Sequence, residues 1–144
     1  MINSDEAAWT AITGTSNSFP FVLRHLTEIK ALPGYETLLR VVWIYADENT
    51  GALPLESDSK EMEEFENLLV AKFEPTQIAS LVGALTYDGA RQWVWYTHDI
   101  EEFGNGLNTL PTREEPFPIE IDSQNDPEWN YIRESIIGNF TKNA

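Results

Sequence analysis

The sequence has 144 residues, 42% of them hydrophobic and 12% aromatic, which is enough apolar material for one packed domain and argues against disorder. It contains no cysteine, so disulfides, thiolate metal sites and cysteine nucleophiles are excluded. The formal net charge of −15 disfavours nucleic acid and anionic membranes as direct partners.

The charge is unevenly distributed along the chain. Residues 47–74 hold nine acids and two bases, and residues 99–144 hold ten acids and three bases, whereas residues 75–98 hold one of each. Residues 1–6 are acidic and no apolar run follows them, so we expect neither a signal peptide nor a membrane-spanning segment. The sequence therefore predicts a cytoplasmic protein with no membrane partner.

The first third of the chain is predicted to form strands. Residues 7–13 are weakly strand-like, and residues 19–29 alternate between apolar and polar side chains after a polar turn. Residues 38–46 are apolar on both faces, which is typical of a central strand.

Residues 57–73 follow with the pattern of an amphipathic helix that Pro75 ends. Asp58 and Glu61 are predicted to form a capping box at its start. The apolar stripe has steps of three and four residues and consists of Met62, Phe65, Leu69 and Phe73.

Residues 81–97 are predicted to form a hairpin around the turn Asp88-Gly89, a dipeptide that supplies the positive φ angles of a tight turn. A two-residue turn fixes which side chains share a face of the sheet. One face is predicted to carry the pairs Thr86–Arg91, Ala84–Trp93 and Val82–Trp95. The other face is predicted to carry the pairs Leu85–Gln92, Gly83–Val94 and Leu81–Tyr96, and to lie under the helices.

The last part of the chain is predicted to contain a helix, a strand and a second helix. Asp99 is the expected N-cap of a helix over residues 99–110, together with Glu102. Asp126 is the expected N-cap of a helix that begins at Pro127 and stops at Gly138. Three apolar side chains of strand 117–122 are expected to face inward, Phe117, Ile119 and Ile121, and those of the last helix are Trp129, Ile132 and Ile136.

The order of these elements from residue 38 is strand, helix, strand, strand, helix, strand, helix. This order is typical of an α+β fold, a ferredoxin-like split β-α-β sandwich with the helices mainly on one face of an antiparallel sheet. The sequence thus predicts a single domain over residues 1–144, in which residues 1–37 extend the sheet and residues 38–144 form the β-α-β-β-α-β-α core.

Five segments carry a resemblance to a known family, in order and with natural spacing: M-E-E-F-E-N-L-L-V (62–70), L-V-G-A-L-T (81–86), G-A-R-Q-W-V-W-Y-T (89–97), F-P-I-E-I (117–121) and D-P-E-W-N-Y (126–131). The chain resembles the bacterial domain of unknown function number 695. Some members adjoin a domain similar to an acidic protein regulator of ribonuclease E, which implies regulation by protein contact. The resemblance brings no catalytic residue, substrate or cofactor to this chain.

The candidate binding surface is an aromatic patch on the sheet face predicted to have no helix over it. Arg91, Trp93 and Trp95 belong to this face, and Trp43 and Tyr45 are expected beside them from the neighbouring strand. A neutral aromatic patch on an acidic protein is typical of a partner surface. The alternative is that N-terminal strands or a loop cover these rings, because tryptophans in strands usually pack.

Two other groups of residues are candidates for metal binding or for catalysis. Asp122, Asn125, Asp126 and Glu128 lack the spacing of a calcium loop, and helix capping explains them without a metal. His98 ends the hairpin beside several acids and is the best candidate for acid–base catalysis, although its surroundings match no catalytic motif. We predict no metal and no cofactor.

Three functional hypotheses follow. The favoured one is a non-enzymatic protein-interaction or regulatory module that uses the aromatic face, with self-association into a homodimer as one form of the interaction. The second is a small hydrolase or ligand-binding enzyme with His98, Arg91 and nearby carboxylates in one pocket. The third is an acidic decoy that inhibits a nucleic-acid enzyme.

Overall fold

A computed structural model describes residues 8–111 and 116–141 and shows an α+β architecture. Six strands form one sheet: β1 (Trp9–Ser16), β2 (Phe19–Leu26), β3 (Thr37–Ile44), β4 (Ala79–Tyr87), β5 (Ala90–Thr97) and β6 (Ile119–Asn125). The helices are α1 (Glu56–Phe73), α2 (Ile100–Asn108) and the π-type helix α3 (Tyr131–Gly138), which one α-helical turn (Asn139–Thr141) continues. Within the described ranges, none of the helices has the length and apolar character needed to cross a bilayer.

The sheet has the strand order β1-β2-β4-β5-β3-β6, and every neighbouring pair is antiparallel. Strands β3 and β4 are joined through α1 and lie on either side of β5. The predicted N-terminal strands are confirmed as an extension of the sheet beyond β4, and β1 and β6 are its edges.

The β4–β5 hairpin has the predicted turn, with positive φ angles of 45° at Asp88 and 85° at Gly89. Near the turn the predicted pairs are also confirmed, from Thr86–Arg91 to Gly83–Val94. A bulge then shifts the register, so that Leu81 lies opposite Trp95 and Ser80 lies opposite Tyr96. The predicted pairs Val82–Trp95 and Leu81–Tyr96 are therefore wrong, because Val82 is the extra residue of the bulge.

The tryptophan face of the sheet lies under α1 and α2. Trp93 and Trp95 are fully buried, and Trp43 is 3% exposed. The ring of Phe65 in α1 lies 5.4 Å from the rings of both Trp43 and Trp93, measured between centroids. Phe73 lies 6.0 Å from Trp95. The prediction that this face has no helix over it is wrong, because the apolar stripe of α1 packs on these rings.

The opposite face of the sheet is covered in part by α3. Ile132 and Ile136 are buried against this face. The indole of Trp129 stacks on the Tyr96 ring, with a centroid distance of 4.5 Å and an interplanar angle of 11°. Tyr96 also donates a hydrogen bond of 2.7 Å from its hydroxyl to Oδ2 of Asp126. The predicted inner stripe of the last helix is thus confirmed, and the helices occupy both faces.

The observed start of α2 agrees with the predicted cap, and the starts of α1 and α3 differ from the prediction. Asp99 is confirmed as N-cap of α2, since its Oδ1 accepts a 3.1 Å hydrogen bond from the Glu102 amide. Asp58 is not the N-cap of α1, because it lies in the first turn and accepts a hydrogen bond from the Leu55 amide. Asp126 accepts from the amides of Asn130 and Tyr131 at 3.0 and 2.9 Å. The N-cap of α3 is Asn130, so the prediction of Asp126 as N-cap is wrong, and the helix begins four residues later than expected.

The delayed start of α3 coincides with an unusual backbone at Trp129. Its φ angle is 59°, a conformation that is costly for a bulky residue unless packing holds it in place. Its indole Nε1 donates a 2.7 Å hydrogen bond to the Tyr35 carbonyl, which anchors the ring. At the other end, Gly138 does not stop the helical chain, which continues to Thr141.

The edge strand β6 is more exposed than predicted. Phe117 and Ile119 pack against the tryptophan cluster, with 5.9 Å between the ring centroids of Phe117 and Trp43. Ile121, however, is 41% exposed, so its predicted inward position is wrong. A strand at the sheet edge lies beyond the reach of the covering helices, which explains the difference.

We expect Trp93→Ala to lower the free energy of unfolding by about 3–5 kcal/mol, because it removes a fully buried ring. The measurement is a urea titration followed by circular dichroism. Leu55→Ala is the matched control, since Leu55 is 71% exposed and its truncation should have little effect. A Trp93→Ala protein as stable as the Leu55→Ala protein would show that this face is open.

We expect Tyr96 to make the protein sensitive to alkaline pH. Burial, and then the hydrogen bond to Asp126, raise the pKa of Tyr96 above its ordinary value. The contribution of Tyr96 to the free energy of unfolding is complete below the unfolded-state pKa of about 10. Above that pH it falls by up to about 1.4 kcal/mol per pH unit, because only the unfolded chain releases the tyrosine proton. The Tm of the Tyr96→Phe protein should therefore decrease less than the Tm of the wild type between about pH 9 and pH 11. Equal losses would contradict this account.

Candidate functional site

The five residues of the predicted aromatic surface do not form an open patch. Trp43, Trp93 and Trp95 belong to the core, while Tyr45 and Arg91 are partly exposed at its margin. The Tyr45 hydroxyl donates a 2.6 Å hydrogen bond to the carbonyl of Ala52, so it holds a loop. The predicted binding surface is therefore wrong for the three tryptophans, because α1 occupies their face.

His98 and Arg91 lie at opposite ends of β5. They are seven residues apart in the chain, and an extended strand places such residues roughly 20 Å from each other. The His98 ring lies 5.0 Å from the ring of Tyr35, and its Nε2 lies 2.9 Å from the carbonyl oxygen of Gln77. The hypothesis of one catalytic pocket with both residues is wrong on this geometry.

The hairpin turn organises the loop that follows β3. The carbonyl oxygen of Gly89 accepts hydrogen bonds from the amides of Tyr45 and Ala46 at 2.9 and 3.0 Å. The Asp88 carboxylate accepts from the amides of Asn49 and Gly51 at 3.1 and 2.9 Å. A Cβ at Gly89 would lie 2.5 Å from the Ala46 carbonyl oxygen, so this position requires glycine for space as well as for its φ angle.

A groove of about 710 Å³ lies between this loop and the edge strand β6, on the α3 side of the sheet. Its floor is apolar and is formed by Val42, Ile44 and Ala90. Ile44 is the last residue of β3 and is 44% exposed, so it offers apolar surface to the groove. The acidic groove, as we name it, consists of this floor and a rim of carboxylates from Asp47, Glu48 and Glu120.

The rim of the acidic groove carries uncompensated negative charge. Asp122 is neutralised by Arg40, whose Nη1 donates to it at 2.9 Å. In the described part of the chain, the exposed carboxylates of Asp47, Glu48 and Glu120 have no ion pair. The groove therefore combines an apolar floor with three free acids.

Helix α3 contacts the lining of the acidic groove at Arg40. The Gln92 side-chain amide donates a 2.5 Å hydrogen bond to the hydroxyl of Tyr131. The Arg40 guanidinium lies over the Tyr131 ring, 5.3 Å from its centroid. Tyr131 thus contacts the sheet beside the groove, and none of the described α3 residues lines the groove itself.

A second, charged pocket of about 300 Å³ lies on the tryptophan side, between β2, β5 and α1. The arginine pocket, as we name it, is lined by Arg24, Ser59, Glu63, Glu66 and Arg91. Oε1 of Glu66 accepts hydrogen bonds from Nη2 of Arg24 at 2.5 Å and from Nε1 of Trp93 at 2.8 Å. The side chain of Glu66 therefore joins the pocket to the buried core.

No metal site is formed by the part of the chain that the structure describes, where no three histidine or carboxylate side chains come together. Two acids of the cluster at residues 122–128 have other partners, since Asp126 accepts hydrogen bonds from the amides of Asn130 and Tyr131 and Asp122 pairs with Arg40. The buried His25 places Nδ1 2.7 Å from the carbonyl oxygen of Leu26, which is a local structural contact.

Sequence reasoning named Arg91 as a binding residue, but it missed the acidic groove and the other residues of the arginine pocket. Ile44 and Glu120 were assigned only to strands, and no local pattern marks where the cover by α3 ends. Arg24 and Glu66 are separated by 42 residues, so their contact depends on how α1 crosses the sheet. A further signal in the sequence was Arg24, a charged residue among the large apolar side chains of β2.

A comparison with protein families places most of the chain in one family. The model of the family of unknown function DUF695 matches residues 7–135, which include all six strands and helices α1 and α2. Searches of curated proteins and of solved structures give no match. The resemblance seen in the sequence motifs is thereby confirmed, and the chain belongs to the family of unknown function DUF695.

Proposed function

We propose that this protein is a non-catalytic binding module whose acidic groove docks a basic segment of a partner protein. The observation that carries the proposal is the open apolar floor of Val42, Ile44 and Ala90 inside a rim of free carboxylates. An apolar anchor with charged surroundings is the usual composition of a specific protein contact, because burial gives affinity and the charges select the partner.

The charge of the groove decides the chemistry of the partner. Asp47, Glu48 and Glu120 favour lysine and arginine side chains and repel nucleic acid phosphates. The apolar floor of the groove favours a partner with at least one aliphatic or aromatic side chain between these basic residues. A second copy of this chain is a poor occupant, because its net charge of −15 opposes the same rim.

The site favours binding over catalysis for a further reason. Strand backbones and a fixed turn form the groove, and neither histidine lines it. The acids of the rim are exposed to water, whereas catalytic carboxylates are commonly buried or lie close to other charges. This arrangement supports the interaction module rather than the enzyme hypothesis.

We also infer that β3 to β6 with α1 and α2 form a ferredoxin-like split β-α-β unit. The support is the strand order β4-β5-β3-β6 and the insertion of β5 between β3 and β4. In this arrangement α3 is an addition on the second face, and the acidic groove is the part of that face left uncovered.

We expect a short peptide with alternating lysine and leucine residues to bind more weakly as salt rises. Its affinity should fall several-fold between about 50 and 300 mM salt, because screening weakens contacts with an exposed acidic rim. Fluorescence anisotropy of a labelled peptide measures this, with a lysine-to-glutamine peptide as control. An affinity that does not depend on salt would contradict the proposal.

We expect Ile44→Asp and Glu120→Lys each to weaken binding of the lysine–leucine peptide about tenfold, a loss of about 1.4 kcal/mol. The first variant removes the apolar floor, and the second reverses charge at the rim. The matched controls are Ile100→Asp, an isoleucine of similar 48% exposure outside the groove, and Glu101→Lys. Equal effects of the groove variants and their controls would show that binding is non-specific.

A further inference from the structure

The two guanidinium groups of the arginine pocket differ in their partners, because Arg24 forms an ion pair and Arg91 does not. Arg24 is held by Glu66, and its guanidinium also lies over the Trp9 ring, 5.8 Å from its centroid. Arg91 donates from Nε to Oγ1 of Thr86 at 2.8 Å. Among the described residues, no acceptor bonds the two terminal nitrogens of Arg91. The half-buried Arg91 side chain thus has a free pair of donors in the pocket.

The local environment of Arg91 disfavours its charged form. Burial, and then the like charge of Arg24, lower the pKa of Arg91 below its ordinary value. Glu66 and Glu63 act in the opposite direction but do not offset these effects. An arginine guanidinium is charged at neutral pH, so an additional anion beside Arg91 would stabilise it.

We propose that the arginine pocket binds the carboxylate group of a small molecule, with Arg91 as its main contact. The planar guanidinium offers two parallel donors at the spacing of the two carboxylate oxygens, which is the strongest geometry for such a pair. Ser59 supplies a hydroxyl from α1 at the same pocket. This site lies on the sheet face opposite the acidic groove and does not depend on the function proposed for that groove.

A carboxylate fits this pocket better than a phosphate. Two acids, Glu63 and Glu66, line the pocket together with the two arginines, so the protein charges are balanced before a ligand enters. A second negative charge on a phosphate would add repulsion from both acids, whereas a carboxylate carries only one charge. The volume of about 300 Å³ limits the ligand to a small molecule or a chain terminus.

The test is a titration of the full chain with sodium propionate, followed through the Nε–Hε signals of its arginines by NMR. Sodium chloride at equal ionic strength controls for screening, and sodium phosphate tests the other class of anion. We expect a saturable shift of the Arg91 signal with propionate and none of that size with chloride. Saturation at lower concentration with phosphate than with propionate would overturn the carboxylate assignment.

Variants complete the test, with binding read from the backbone amide signals around the pocket. Arg91→Gln should weaken propionate binding at least about tenfold, and Arg91→Lys should weaken it less because it keeps the charge. Arg133→Gln, on the surface of α3, is the matched control and should bind as the wild type does. Undiminished binding by folded Arg91→Gln, or by Arg91→Lys if Arg91→Gln does not fold, would overturn the proposal. So would the absence of saturable binding by the wild type.

Discussion

Strand β5 carries large rings on both of its faces, and this constraint determines the rest of the structure. Trp93 and Trp95 require one cover, and Val94 and Tyr96 require another. The α1 stripe meets the first requirement through Phe65 and Phe73, and α3 meets the second. A strand that is buried on both sides must lie inside the sheet, which places β3 and β4 beside it and leaves β1 and β6 at the edges.

The candidate sites lie where this double cover ends. The rings of β5 occupy its second half, and its first residues, from Ala90 to Gln92, are smaller or polar. On one face Ala90 forms part of the acidic groove, and on the other Arg91 lines the arginine pocket. The Asp88-Gly89 turn precedes both residues and holds the loop beside the groove. One short segment therefore positions two concave surfaces of different charge.

Local chemistry made several features predictable, while the choice between faces was not. The turn at Asp88-Gly89 and the cap at Asp99 depend on neighbouring residues, so the sequence was sufficient for them. Both faces of β5 are apolar, and no local signal says which face α1 will cover; that depends on the fit of its phenylalanines to the tryptophans. The bulge at Val82 was also hidden, because it adds an apolar residue to a run that is apolar throughout.

The central claim is that the open part of the sheet is the floor of the acidic groove and not the tryptophan face. Chemical-shift mapping of the labelled protein with the lysine–leucine peptide tests this most directly. The account predicts that the amide signals of Ile44, Ala90 and Glu120 shift together, while the indole signals of Trp93 and Trp95 stay in place. Shifts of those two indole signals, with the groove signals unchanged, would contradict it.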